Sequence, residues 1–188
     1  FYTEWNTVKK LEIPSVRKVI EKTQYQGKPA LRLVYIGGET LKATFLKEDT
    51  IEKIVPAFDL KHFLEISIQI VDALDQIHQQ KIIHKDICPH NILIEEETQL
   101  VKIIDFGLAT SLNLKTTYLG NPERIQGNLN YISPEQTGRM NRTLDYRSDL
   151  YSLGVTLYEL LTGELPFEQE DPLELVHCHL AIEPVSPL

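Results

Sequence analysis

The sequence has few cysteines, a deficit of positive charge and no long apolar run, and each shortage argues against a class of protein. Two cysteines among 188 residues, Cys88 and Cys178, are too few for a disulfide framework. Acidic residues outnumber basic ones by 27 to 19, which argues against binding to a nucleic-acid backbone. No stretch resembles a signal peptide or is apolar for long enough to span a bilayer. We therefore expect a soluble cytoplasmic protein with no nucleic-acid partner and no membrane segment.

The length and composition are those of a chain that can fold around a core. A hydrophobic content of 42% over 188 residues predicts one domain, whether whole or in part. Because the chain begins with Phe1 rather than methionine, we expect that Phe1 is not the start of translation.

Residues 83–107 hold the most informative stretch, IHKDICPHNILIEEETQLVKIIDFG. Two apolar runs, 91–94 and 101–104, flank a polar segment and predict a hairpin of two short strands. Such a hairpin brings Asn91 and Asp105 to the same side.

The order of motifs in this stretch resembles the protein-kinase signature. His84-Lys85-Asp86 is followed by Asn91 and then by Asp105-Phe106-Gly107, which matches H-R-D-x-x-x-x-N and D-F-G. The resemblance implies transfer of the γ-phosphoryl group of ATP to a protein hydroxyl, with Asp86 as the catalytic base. It implies that Asn91 and Asp105 are also catalytic and bind the nucleotide through Mg²⁺, since amide and carboxylate oxygens suit this ion. The implied cofactors are ATP and Mg²⁺.

Two further carboxylates resemble nucleotide-site residues of the same family. Glu4 stands ten residues before Pro14, like the helix-C glutamate that pairs with a strand lysine. Glu39, after Gly37-Gly38, resembles the hinge carboxylate near the ribose. A solvated helix charge and an ordinary polar turn are the alternatives for these two positions.

The resemblance implies an α+β, two-lobed kinase-like fold that is truncated at both ends. Residues 1–40 are predicted to form a partial N-lobe and hinge, with helix C and strands at 16–22 and 31–36. Residues 41–188 are predicted to form most of a helical C-lobe, with the catalytic loop, activation segment and central helix. The chain contains neither a glycine-rich loop nor a V-A-I-K-type strand.

Three helices are predicted in the C-terminal part. Residues 59–80 have apolar side chains at helical spacing, which predicts a buried stripe of Leu60, Phe63, Leu64, Ile70, Val71, Leu74 and Ile77. Residues 145–163 are apolar on nearly every side, which predicts a helix in the middle of the core. Asp149, at its start, resembles the kinase aspartate that holds the catalytic-loop backbone. Residues 171–181 predict the third helix.

The catalytic loop departs from the common kinase pattern at three positions. Lys85 replaces the usual arginine, which weakens any control by loop phosphorylation. Cys88 replaces the lysine of serine/threonine kinases, and His90 stands where tyrosine kinases often have an arginine.

The segment 108–131 resembles an activation segment that ends in S-P-E rather than A-P-E. Asn128 replaces a threonine that bonds the catalytic aspartate, and its side-chain amide can donate to Asp86. Glu135 lacks the arginine that usually pairs with it. The hydroxyl residues are candidate phosphosites: Thr110, Ser111, Thr116, Thr117 and Tyr118.

Other chemistries remain as alternatives. Cys88 with neighbouring histidines invites a cysteine hydrolase or a zinc site, although no oxyanion motif and no paired C-x-x-C spacing accompany it. We interpret His177-Cys178-His179 as structural, because adjacent helical residues point in different directions. A catalytically inactive pseudokinase that docks other proteins is the alternative from a different functional class.

The run 133–167 and the following DPLELVHCHLA resemble a narrower bacterial group. Its members join a serine/threonine-kinase-like domain to an AAA-type ATPase region, a GAF sensor and a histidine kinase. The resemblance implies a protein substrate, serine or threonine specificity, and further domains of a larger signalling protein as partners.

Overall fold

The computed structural model describes residues 2–46, 59–112, 126–140 and 142–187. These segments contain five α-helices and seven short strands. In chain order they are α1 (Tyr2–Val8), β1 (Val19–Tyr25), β2 (Lys28–Leu33), β3 (Gly38–Thr40), α2 (Leu41–Phe45), α3 (Leu60–Gln79), β4 (Ile82–Ile83), β5 (Ile92–Glu95), β6 (Val101–Ile103), β7 (Thr110–Ser111), α4 (Arg147–Thr162) and α5 (Pro172–Ala181). Two 3₁₀ helices, Leu129–Tyr131 and Pro134–Thr137, precede α4. The mixed content agrees with the predicted α+β class.

The N-terminal part contains the expected helix and hairpin. Strand β1 begins three residues later than predicted, and β2 begins three residues earlier. Strands β1 and β2 pair antiparallel around a turn at Gln26-Gly27, where both residues have positive φ. Residues 16–18 lie outside β1 because Val16 instead forms a parallel bridge to Ile103. The predicted ranges 16–22 and 31–36 are therefore corrected to 19–25 and 28–33.

The predicted hairpin around the signature motifs is confirmed. Strands β5 and β6 are antiparallel, with Ile92 opposite Ile103, and β3 adds to the other edge of β5. Gly38 makes this addition possible, because a Cβ there would lie 2.0 Å from the Ile94 carbonyl oxygen. The close approach and a φ of 138° explain the glycine before Glu39.

The long helix α3 is confirmed, but three residues of its predicted stripe are wrong. Leu60, Leu64 and Val71 are about half exposed. The buried face consists of Ile66, Ile70, Ala73, Leu74 and Ile77. At about 100° per residue, the three exposed positions fall at the edge of the apolar arc, and packing against β4 and β6 decides which side is covered.

The central helix α4 is confirmed in extent, and Gly163 ends it with a φ of 76°. Its buried face is more polar than predicted, since Leu150 is exposed while Asp149 and Glu159 are buried. Two hydroxyls on this face donate to main-chain carbonyls, Ser152 to that of Tyr131 at 2.7 Å and Thr156 to that of Ser152 at 2.9 Å. The helix therefore meets polar loops as well as the apolar core.

One hydrophobic cluster joins the N-terminal helix to the C-terminal elements. It contains Val8, Leu41, Leu74, Phe106 and Leu153, with other buried side chains around them. None of the helices in the described segments is long and apolar enough to cross a membrane.

Candidate active site

The catalytic loop is held by one buried carboxylate from α4. Asp149 has no exposed surface, and it accepts hydrogen bonds from the backbone N–H groups of His84 at 2.8 Å and Lys85 at 2.7 Å. A third contact, of 2.8 Å, comes from Nε2 of His78. The expected role of Asp149 agrees with this geometry. The ring of His78, near the end of α3, thus contacts the buried aspartate directly.

The Asp86 carboxylate is fixed by donors from two segments. Asn91 Nδ2 donates to Asp86 Oδ2 at 2.9 Å and to its carbonyl oxygen at 2.8 Å. Asp86 Oδ1 accepts from the backbone N–H of Asn128 at 3.2 Å. The side chain of Asn128 was expected to be the donor, but its oxygen instead accepts from the backbone N–H of Asn130. The main chain thus replaces the side-chain donor at this position.

Gly127 allows the main chain at residues 127 and 128 to approach the Asp86 carboxylate. A Cβ at Gly127 would lie 3.1 Å from Asp86 Oδ1, and the residue has a φ of 98°. A side chain at Gly127 would press on the Asp86 carboxylate, and the backbone there has a conformation that L-residues avoid.

Two non-glycine residues with positive φ flank the site. Lys85 has a φ of 68° and Asp105 a φ of 62°, and such conformations cost about 1–3 kcal/mol each and persist only where contacts impose them. The N–H of Lys85 is bonded to Asp149, and its carbonyl accepts from Nε2 of Gln136 at 2.8 Å. The Gln136 oxygen in turn accepts from the Ser133 hydroxyl at 2.9 Å. The loop is therefore braced from both sides.

Asn91, Asp105 and Glu4 line one cavity of about 270 Å³, together with Arg17, Phe106 and three apolar residues. Asp105 is exposed, and its Oδ1 accepts from the N–H of Gly107 at 2.9 Å. Because Nδ2 of Asn91 is used on Asp86, its Oδ1 is the atom left for a metal. Mg²⁺ is usually held by one or two protein oxygens plus phosphates and water. This pair of side chains fits that requirement.

The two more distant carboxylates differ in position. Glu4 faces the cavity, and burial together with the charge of Asp105 raises its pKa above the usual value. Glu39 is exposed on β3 and is not among the residues that line the cavity. Its contact with a ribose stays a prediction.

The surroundings of Cys88 argue against a cysteine nucleophile. The residue is 3% exposed, and burial, with the charge of Asp86 as a second cause, raises the pKa of its thiol to about 11. Nucleophilic cysteines need the opposite shift, because the thiolate is the reactive form. His90, its neighbour in the loop, is exposed.

The ring of His84 belongs to the core rather than to proton transfer. Burial lowers its pKa, and the charge of Asp149 opposes this only in part. The ring packs edge-on against Phe106 with centroids 4.6 Å apart. Nε2 lies 3.2 Å from the Ile104 carbonyl, and Nδ1 lies 3.3 Å from the N–H of Asp86.

Several residues that support the site were not found by sequence reasoning. Glu159 is 4% exposed, accepts from the Tyr131 hydroxyl and lies 3.4 Å from Lys42 Nζ. Glu135 accepts from the Ser148 hydroxyl at 2.5 Å, a contact that the sequence did not indicate. No local pattern marks these contacts, because each joins segments far apart in sequence.

The candidate phosphosites divide into two groups. Thr110 and Ser111 form β7, which pairs with β4 and is only partly exposed. Thr116, Thr117 and Tyr118 lie outside the described residues. Their modification stays a prediction.

The C-terminal histidines point apart, as expected for neighbours on a helix. His177 is exposed, whereas His179 is 5% exposed and contacts the Tyr151 hydroxyl at 2.8 Å. Across the described segments, no three His, Cys, Asp or Glu side chains converge as a metal site.

Comparison with known proteins agrees with this geometry. A family profile described as the protein kinase domain matches residues 1–183. The chain belongs to the protein kinase family. The kinase domain is 33% identical over 187 residues to a probable serine/threonine-protein kinase of Clostridium perfringens, covering 100% of this chain and 26% of that protein. It is 33% identical over 186 residues to the serine/threonine-protein kinase PrkC of Bacillus subtilis, covering 99% and 27%.

A third relative extends the same result to another bacterial lineage. Identity to the serine/threonine-protein kinase PknB of Mycolicibacterium smegmatis is 36% over 159 residues, covering 85% of this chain and 24% of that protein. The kinase domain thus spans about a quarter of the length of these relatives. Kinases of this family use ATP and a divalent metal.

Proposed function

We propose that this chain is the catalytic domain of a bacterial serine/threonine protein kinase that transfers the γ-phosphoryl group of ATP to protein hydroxyls. The observation that carries the proposal is the position of Asp86. Its carboxylate is fixed by Asn91 and by the main chain at 128, and Asn91 also lines the cavity that contains Asp105. The Asn91 side chain therefore links the proposed base, Asp86, to the proposed metal site at Asp105.

Each residue has one part in the proposed reaction. Asp86 orients the substrate hydroxyl and accepts its proton as the oxygen bonds to the γ-phosphorus, while the bond from that phosphorus to the β-phosphate oxygen breaks and ADP leaves. Asn91 Oδ1 and the Asp105 carboxylate would hold Mg²⁺, which would supply positive charge to offset that of the phosphates. Asp149 and Gln136 keep the loop in the conformation that aims Asp86. Serine or threonine preference rests on the three relatives.

The size of the relatives supports a role within a longer protein. We place the domain in a cytoplasmic signalling protein, in which protein substrates and the other domains are its partners. An AAA-type ATPase region, a GAF sensor and a histidine kinase are the further domains that the sequence resemblance suggests. The boundary between lobes at residue 40 is proposed on the same basis.

Two assays on two variants test the activity. Binding is measured as the rise in melting temperature with Mg·ATP, since a ligand that binds only the folded state stabilises it. Transfer is measured from γ-labelled ATP to serine/threonine and tyrosine peptide libraries. We expect the wild type to bind and to label the serine/threonine library.

The variants separate binding from chemistry. Asp105→Ala should lose both the melting shift and the transfer. Asp86→Asn should keep the shift and lose transfer by about 10²–10⁴, the usual contribution of a general base. A chain that binds Mg·ATP but labels neither library would instead be a docking pseudokinase, and labelling of the tyrosine library alone would refute the assigned specificity.

A further inference from the structure

Arg17 lines the cavity that also contains Glu4 and Asp105, and its charge acts on Glu4. The position follows from the main chain. The N–H of Ile103 donates to the Ser15 carbonyl at 2.7 Å, and the N–H of Arg17 donates to the Ile103 carbonyl at 3.2 Å. Residue 17 therefore runs beside the segment that leads directly to Asp105.

One end of the Arg17 side chain is already anchored. Its Nε donates to the Val34 carbonyl at 3.0 Å, which fixes the guanidinium plane. Among the described residues Arg17 has no ion pair within 4 Å, although Glu4 lines the same cavity. Its charge nevertheless lowers the pKa of Glu4, against the larger opposite effects of burial and Asp105. Arg17 thus lines the same cavity as both carboxylates, and within the described residues it pairs directly with neither.

The charge of this cavity determines what can enter it. Two carboxylates disfavour an anion, whereas a guanidinium offers N–H donors in a planar fork that suits phosphate oxygens. No lining residue other than Arg17, within the segments that the structure describes, carries a positive charge. A polyphosphate that approaches Asn91 and Asp105 through a metal would therefore meet Arg17 as its protein cation.

We propose that Arg17 is a nucleotide-binding residue whose guanidinium contacts the polyphosphate of the bound nucleotide. The inference rests on the proposed nucleotide site and assigns to it a residue that lies outside the signature motifs. If it is correct, Arg17 contributes to the affinity for ligands that carry phosphates and not to the affinity for the base or the ribose.

The test compares three ligands on four proteins of 188 residues by isothermal titration calorimetry. The ligands are Mg·ATP, Mg·ADP and adenosine. The proteins are the wild type, Arg17→Gln, Arg17→Lys and the control Arg32→Gln. Arg32 is a suitable control because its side chain is 61% exposed and pairs with Glu21 on the surface of the β1–β2 hairpin.

We expect Arg17→Gln to weaken Mg·ATP and Mg·ADP binding on the order of tenfold or more, the usual effect of losing a hydrogen bond to a charged group. Adenosine affinity should be unchanged. Arg17→Lys should keep part of the affinity, because it retains the charge but loses the fork. Arg32→Gln should match the wild type with all three ligands.

Two results would overturn the assignment alone. If Arg17→Gln weakens adenosine as much as Mg·ATP, the residue only supports the shape of the cavity. If it weakens neither, Arg17 does not contact the ligand. A wild-type chain that binds no nucleotide would refute the proposed nucleotide site and this inference together. Melting curves of the free variants check that each is folded.

Discussion

Replacing Asp149 by asparagine tests whether one side chain holds the catalytic loop. The carboxylate is fully buried and accepts from the N–H groups of His84 and Lys85 and from the ring of His78. Asparagine keeps one acceptor oxygen and turns an NH₂ group toward a backbone donor. An unsatisfied buried group and lost charge-assisted bonds together predict a loss of about 3–5 kcal/mol in the free energy of unfolding.

The loss is measured by urea unfolding of the wild type, Asp149→Asn and the control Asp145→Asn. With a urea dependence of about 2 kcal/mol per molar, the midpoint of Asp149→Asn should fall by roughly 1.5 M or more. Asp145 also accepts from a backbone N–H and pairs with an arginine, but that arginine is exposed and the pair is screened by water. The reasoning fails if both variants lose the same amount.

Three further predictions concern glycine, cysteine and histidine. Gly38→Ala should lower the free energy of unfolding by about 3 kcal/mol, through backbone strain and a clash with β5. Gly27 has a φ of 74° but lies in open space, so Gly27→Ala should lower it by only about 1 kcal/mol. Equal urea midpoints for the two variants would contradict this prediction. At pH 8, Cys88 should react with iodoacetamide at least roughly a hundredfold more slowly than Cys178, because its thiol pKa is about 11 and it is buried. Mass spectrometry of the two peptides measures the rates, which should converge in urea. In an NMR titration the His84 ring should show a pKa below its ordinary value of about 6.5. The folded state should therefore keep its stability above about pH 6.5 and lose stability as the pH falls from there toward the pKa of the folded-state ring. A titration midpoint at or above about 6.5 would refute the assignment of a buried neutral ring.

The sequence was sufficient for features whose signal is local. The β5–β6 hairpin follows from two apolar runs and a polar turn. The start of α3 follows from Asp59, and the end of α4 follows from Gly163. The constellation of Asp86, Asn91 and Asp105 was readable because its members lie within twenty residues of one another. Its chemistry entered through the resemblance to kinases, which the family match confirms.

The features that were missed depend on packing between distant segments. Gln136 reaches a carbonyl 51 residues away, and Lys42 reaches Glu159 across 117 residues. Nothing in the sequence around Gln136 distinguishes an amide that hydrogen-bonds to the catalytic loop from an amide on the surface. His78 is similar, because a histidine near the end of a helix has the same local pattern whether it faces water or a buried aspartate.

The conformation of the catalytic loop is imposed by three sets of contacts together. Asp149 binds its N–H groups, Gln136 binds the Lys85 carbonyl, and the main chain at 128 binds the Asp86 carboxylate. Lys85 is strained, so the loop is expected to relax once such restraints are removed. Two of the three come from residues 126–140, at the end of the predicted activation segment. A change that displaces residues 126–140 should therefore loosen the proposed base, Asp86, even when the proposed metal ligands Asn91 and Asp105 are untouched.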